Sequence, residues 1–248
     1  MANLILHCGA SAVDVEEVKG VTTPDGTRTW HPLPHMDVYD AFTEELETSF
    51  DLKNTVHALN HDGGDWFCLM ELHPKQVAQV ETMKNLWVTT LGLRNSHLKR
   101  FRAGAVLGAT VFVCDNLSFC GESEWHKKHT PGIRESMADG VKRLLEDVYN
   151  TRDKQEQRFE AYQNSAITVP HANNLIINAA RHRVIPANKI LEVADEFTNP
   201  RHEEFEEKNM WSLFNSFTEI MKPLGLETKQ ARTMRLHDVC DRYLGLAV

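Results

Sequence analysis

The stretch Ile133–Asn164, IRESMADGVKRLLEDVYNTRDKQEQRFEAYQN, decides the fold. Ile133, Met137, Val141, Leu144, Val148, Phe159 and Tyr162 recur at three- and four-residue steps, and Arg143, Glu146, Asp147, Asp153 and Glu156 stand between them. A period near 3.6 is what places such apolar positions on one stripe, so the spacing predicts one long amphipathic helix. Pro131 stands where the helix starts, and the region of Pro170 lies beyond its end. Downstream the same period predicts helices over about 171–183, 187–197, 205–221 and 228–244, with breaks at Pro186, Pro200 and Pro223.

Upstream the pattern changes to short runs rich in aromatic and β-branched residues. Trp66–Leu72 (WFCLMEL) follows the turn His61-Asp62-Gly63-Gly64-Asp65, is closed by Pro74, and reads as a buried strand. Trp87–Leu93 and Ala109–Cys114 are two more strands. Gly104 and Gly108 bracket Ala105-Val106-Leu107, which either extends the second of these strands or leaves a bend. A first helix is predicted from Asp37, as its capping residue, to Ser49, with Val38, Ala41, Phe42 and Leu46 on one face. Val21–His35 contains Pro24-Asp25-Gly26 and Pro32-Leu33-Pro34 and reads as loop, with a short hairpin about Asp25-Gly26. The sum is an α+β chain forming a single domain over 1–248: a small, mainly antiparallel sheet in a strand-rich part to about 130, and a helical part from about 131.

With 42% hydrophobic and 25% charged residues over 248 positions, the chain can bury a large core. No run approaches the roughly 18 apolar residues of a membrane span, and Leu4-Ile5-Leu6 lacks a basic leader. A cytoplasmic protein without membrane contact is expected. Its five cysteines are odd in number and contain no Cys-x-x-Cys pair, which argues against a disulfide framework.

Charge is unevenly spread. Between Arg94 and Arg134, Arg94, Lys99, Arg100, Arg102, Lys127, Lys128 and Arg134 face only Asp115, Glu122 and Glu124, a local +4 in a chain of net −8. A basic stripe on an acidic body suits a polyanionic partner. Lys99, Arg100 and Arg102 can neutralise phosphates, Asn95, Ser96 and His97 offer short donors, and Phe101 offers a ring to stack on a base. Lys127, Lys128 and His129 form a second cluster just before the long helix, whose free amides would add to a phosphate seat.

Other chemistry is poorly represented. Cys114, Cys120, His126 and His129 lack the tight pair that structural zinc sites use. His57 and His61, with Asp62 and Asp65 nearby, have metal-like spacing, but the glycines at 63 and 64 put His61 in a turn. No phosphate-binding glycine loop, dinucleotide fingerprint or nucleophile elbow occurs. No catalytic residue, metal or cofactor is assigned. Trp211, Leu213, Phe214, Phe217, Ile220 and Met221 have the spacing of a buried helix face, on which Asn215 needs a partner and is expected to tie the helix to a neighbouring backbone.

Arg94-Asn95-Ser96-His97, Val111–Leu117, Lys127-Lys128-His129-Thr130 and Trp211–Glu219 resemble, in order and spacing, the phage/plasmid-like family known as domain of unknown function 932. The resemblance covers most of the chain from about Asp65. It implies a mobile-element context and carries no reaction. Family members often continue the Asn-Ser-His turn with Asp, whereas Leu98-Lys99 follows here. The expectation is a non-enzymatic nucleic-acid-binding protein, single-stranded DNA favoured, acting as a homo-oligomer in single-strand binding or annealing. The alternatives are a metal-dependent phosphodiester hydrolase and a protein-binding inhibitor of a host defence system.

Overall fold

The computed structural model describes residues 10–75, 87–111 and 116–246, the side chains of 110–123, 226 and 227 left aside. The described residues hold one sheet of β1 (Ser11–Val13), β2 (Phe50–Asn60), β3 (Asp65–Pro74), β4 (Trp87–Ser96), β5 (Ala103–Val111) and β6 (Asn116–Lys127). The strands lie in sequence order and every neighbouring pair is antiparallel. Two short helices interrupt this half, α1 (Val15–Lys19) and α2 (His35–Leu46). The helical half is α3 (Ile133–Asn164), α4 (Val169–Arg181), α5 (Ile190–Thr198), α6 (Met210–Ile220) and α7 (Leu226–Leu244). The protein is therefore α+β, and α3 has the bounds that its periodicity predicts.

Side-chain alternation decides which sheet face is covered. Trp66, Cys68, Met70 and Leu72 of β3, Leu91 and Leu93 of β4, and Ala103, Ala105 and Leu107 of β5 point one way. They meet Val38, Phe42 and Leu46 of α2 and Ile133, Met137, Val141, Leu144 and Val148 of α3. Gly140, inside α3, lets Trp125 lie close against the helix: a Cβ there would come within 2.5 Å of the indole. The later turns of α3 leave the sheet's core and supply Phe159 and Tyr162 to a second core built with α4–α7. At about 1.5 Å per residue, α3 is a rod of about 48 Å joining both cores. The other sheet face carries a small cluster of Ala58, Phe67, Leu69 and Val106, flanked by Phe101.

The structure corrects several sequence readings. The sheet is larger than expected, because β2 and β6 carry no clear alternation. β4 runs past Leu93 to Ser96, and β5 begins at Ala103, so the glycine-bracketed segment is strand. The end expected at Cys114 lies outside the described residues. Asp37 does not cap α2, which starts at His35 after Pro34; its carboxylate pairs with Arg134 at 2.7 Å. No hairpin forms at Asp25-Gly26, where a Thr27–Trp30 backbone bond closes a turn. His57 is on β2 with its ring against Trp66, and His61 sits in the β2–β3 turn, so they share no helix face.

Candidate functional site

Asn95 and Ser96 end β4 and His97 opens the turn that follows, and the structure places them beneath the surface rather than on it: they are 0%, 0% and 5% exposed. Burial of polar groups demands partners, and here the partners come from far along the chain. Ser96 donates its hydroxyl to Asp65 at 2.6 Å and accepts the amides of Leu98 (3.2 Å) and Arg100 (3.3 Å). Asp65 also pairs with Arg100 Nε at 3.2 Å and His61 Nδ1 at 3.3 Å, and Arg100 touches the His61 ring. These bonds fix the β4–β5 turn, in which Lys99 adopts a left-handed φ of 59°. All three are expected from the sequence to contact a nucleic acid directly; the structure buries them, and Ser96 shapes the turn that presents Lys99 and Arg100.

Asn95 and His97 hold down the Leu33 peptide. Asn95 Nδ2 donates to Leu33 O and to His35 Nδ1, both at 2.9 Å, and His97 Nε2 donates to Leu33 O at 2.8 Å. The Leu33 amide in turn donates to His129 Nδ1 at 3.2 Å. The His35 and His97 rings stack at 4.0 Å and 7°. The partners dictate the tautomers: a carbonyl accepts from His97 Nε2, the Gly63 carbonyl accepts from His35 Nε2 at 2.9 Å, and an amide donates to His129 Nδ1. His35 and His129 each accept a hydrogen bond at Nδ1 and are therefore neutral and protonated at Nε2, and His97 carries a proton on Nε2. Burial drives their pKa values down, to about 4 for His35 and about 4 for His129, and lowers that of His97.

Above this floor opens a cleft of about 570 Å³, lined by Thr29, Trp30, Arg94, Lys99, Arg100, Phe101, Arg102, His126, Lys128, His129 and Thr130. Among the described residues this lining carries five permanent cations and no carboxylate. Arg100 is partly neutralised by Asp65, whereas Lys99, Arg102 and Lys128 form no ion pair among the described residues. His126 bonds Glu124 at 3.2 Å, and burial lowers its pKa, aided by Arg94. Its ring lies over Gly104, where any Cβ would collide with it.

Of the residues that stand out in the sequence, Arg94, Lys99, Arg100, Phe101, Arg102, Lys128 and His129 converge on this cleft. Lys127 does not: it shares the strand face of Trp125, which packs toward α3. The α3 N-terminus does not join the cleft either; Gly132, Ile133, Arg134 and Glu135 line a separate hollow with Pro24 and Pro32. Phe101 is no free platform, because Phe67 packs at 5.2 Å and the Arg94 guanidinium covers it at 5.4 Å. The aromatic platform is Trp30, whose place between two breakers gives it no distinguishing signal in the sequence. Its ring lies 6.4 Å from His129 at 27°, with Lys99 Nζ 4.3 Å from its centroid.

Among the described residues no three His, Cys, Asp or Glu side chains converge as a metal site; Cys114 and the Cys120 side chain lie outside that description. No described helix is long and apolar enough to cross a membrane. No family model, curated protein or solved structure matches the chain. The chemistry of the cleft therefore rests on its geometry.

Proposed function

We propose that the protein binds single-stranded nucleic acid, without catalysis and with little sequence preference, in the cleft between Trp30 and the β4–β5 turn. The observation that carries this reading is a lining of five cations and one half-buried indole with no carboxylate among the described residues. Cations track a phosphate backbone and an aromatic face stacks any base, so the pair binds strands irrespective of sequence. A volume of about 570 Å³ is that of a small-ligand site. That is room for one or two splayed nucleotides. On this reading the protein acts in the replication or recombination of a mobile element.

The test is a fluorescence-anisotropy titration of labelled single- and double-stranded oligonucleotides over about 50 to 200 mM salt, on wild type and on Lys99→Ala/Arg102→Ala/Lys128→Ala. Arg100 is spared because it holds Asp65. Wild type is expected to prefer the single strand. The triple variant should lower the slope of log affinity against log salt by about 2, near 0.7 for each phosphate that is no longer neutralised. Absent or salt-insensitive binding overturns the proposal.

A further inference from the structure

Two histidines of the cleft have a buried ring nitrogen without a partner among the described residues: His126, whose Nε2 bonds Glu124 and whose bare Nδ1 is an acceptor packed over Gly104, and His129, whose bare nitrogen is a donor. His129 is 5% exposed, and its Nδ1 is occupied by the Leu33 amide. That bond fixes the proton on Nε2, yet Nε2 is buried without a partner among the described residues. A buried donor left unpaired is costly, and native structures rarely keep one without a reason. The ring belongs to the lining of the cleft, and Trp30 stacks on it. What completes the bond must be an acceptor small enough to reach the floor. Among Lys99, Arg102 and Lys128 it must also be anionic to be favoured.

We propose that His129 donates Nε2–H to a phosphoryl oxygen of the bound strand, so that the floor of the cleft seats one phosphodiester group while the adjoining base displaces Lys99 from the face of Trp30. This deepens the nucleic-acid reading and rests on it. His129 is a neutral donor here and remains so at ordinary pH, so it contributes direction without charge. The lysines and arginines release counterions on binding and give salt dependence; a neutral donor does not. The two kinds of interaction are thus separable by experiment: removing a cation changes the salt slope, whereas removing the His129 donor shifts affinity equally at every salt concentration.

Two substitutions divide the ring's functions. His129→Asn places a carbonyl oxygen where Nδ1 accepts the Leu33 amide and removes Nε2–H. His129→Gln can extend an amide donor to the Nε2 position and gives up the Leu33 bond. Titrated with a short oligothymidylate across the same salt range, His129→Asn is expected to bind about tenfold more weakly at each salt concentration with an unchanged slope. His129→Gln is expected to stay within about threefold of wild type. On wild type, nitrogen-15 correlation spectra of the histidine rings should show the His129 Nε2–H proton slowed in exchange and shifted by the oligonucleotide. If wild type binds with the expected salt dependence but His129→Asn matches it and the Nε2–H signal does not move, the phosphate seat is refuted and the cationic cleft stands. If wild type binds no oligonucleotide, both readings fall.

Discussion

Two buried polar clusters in this protein use similar side chains toward opposite ends. At the tip of the sheet, His97 and His129 bond the backbone of Leu33, His35 stacks on His97, burial disfavours charge on all three rings, and the cluster ends in a bare donor beneath a cationic cleft. In the helical half, Arg158 and Tyr162 of α3 meet His237 and Asp241 of α7: Asp241 accepts from Arg158 Nε at 3.1 Å and from the Tyr162 hydroxyl at 2.6 Å, with His237 Nδ1 3.2 Å from that hydroxyl. The second cluster contains a true ion pair, and burial pushes its Tyr162 hydroxyl well up and its His237 well down. The difference teaches what each can tolerate. A buried charge must be matched inside the fold, whereas a neutral ring can leave one hydrogen bond to a ligand at a cost of about 1–3 kcal/mol. The charged cluster rivets α7 to α3, and the neutral one is free to serve a site.

The largest expected effect breaks the charged cluster. Asp241→Asn takes the carboxylate from a buried guanidinium, and removal of one partner of such a pair costs about 3–5 kcal/mol. Urea denaturation should show that loss, while the folded protein keeps its affinity for single strands, because the cleft is built from the sheet's end. A loss below about 1 kcal/mol would mean that the pair is replaceable and the contrast drawn above is wrong.

Legibility in the sequence follows the range of the interactions. The α3 stripe is local, with partners three or four residues apart, and the sequence reads it correctly from Ile133 to Asn164. The cations of the turn are also local, and most of them reach the cleft. What escapes is held by distant partners. Asn95 and Ser96 look like loop residues because they are polar, yet they are strand, since Leu33 and Asp65, 62 and 31 positions away, satisfy them. Trp30 looks like an ordinary loop residue between breakers until a bond spanning 96 positions, from Leu33 to His129, brings its loop onto the sheet. β2 is hidden for another reason: it shifts register between Lys53 and Val56, with Asn54 at a φ of 49°, and a period-2 search loses phase there. The Asn215 amide donates at 2.9 Å to Trp211 O of its own helix.

Acid should weaken the neutral cluster. In the unfolded chain His35 returns to about 6.5 from its folded value of about 4, so falling pH protonates the unfolded state first. The stability that neutral burial secures is complete above about pH 6.5 and is lost progressively toward pH 4, at up to about 1.4 kcal/mol per pH unit for one ring. His97 and His129 face His35 and add to its depression, while the bond to the Gly63 carbonyl opposes it. Urea unfolding at pH 7 and at pH 5 should therefore show wild type losing about 2 kcal/mol more than His35→Gln, whose side chain does not titrate. Equal losses would show that the carboxylates elsewhere, not the ring cluster, govern acid sensitivity.

The smallest effect lies at the joint between the neutral cluster and the cleft. Lys99 holds a left-handed φ of 59°, which costs a residue with a Cβ about 1 kcal/mol that glycine does not incur. Its ammonium lies over Trp30, an attraction of about 0.5–1 kcal/mol at an exposed site. Lys99→Ala removes the ammonium and keeps the strain; Lys99→Gly removes the ammonium and relieves the strain. Lys99→Gly should thus be the more stable of the two by about 1 kcal/mol in thermal unfolding, while both weaken binding of single strands alike. Equal stabilities would mean that the turn relaxes once the lysine is gone. In that case the left-handed conformation is imposed by the ammonium's hold on Trp30, and not by the Ser96 hydroxyl that gathers the amides of Leu98 and Arg100 beneath it.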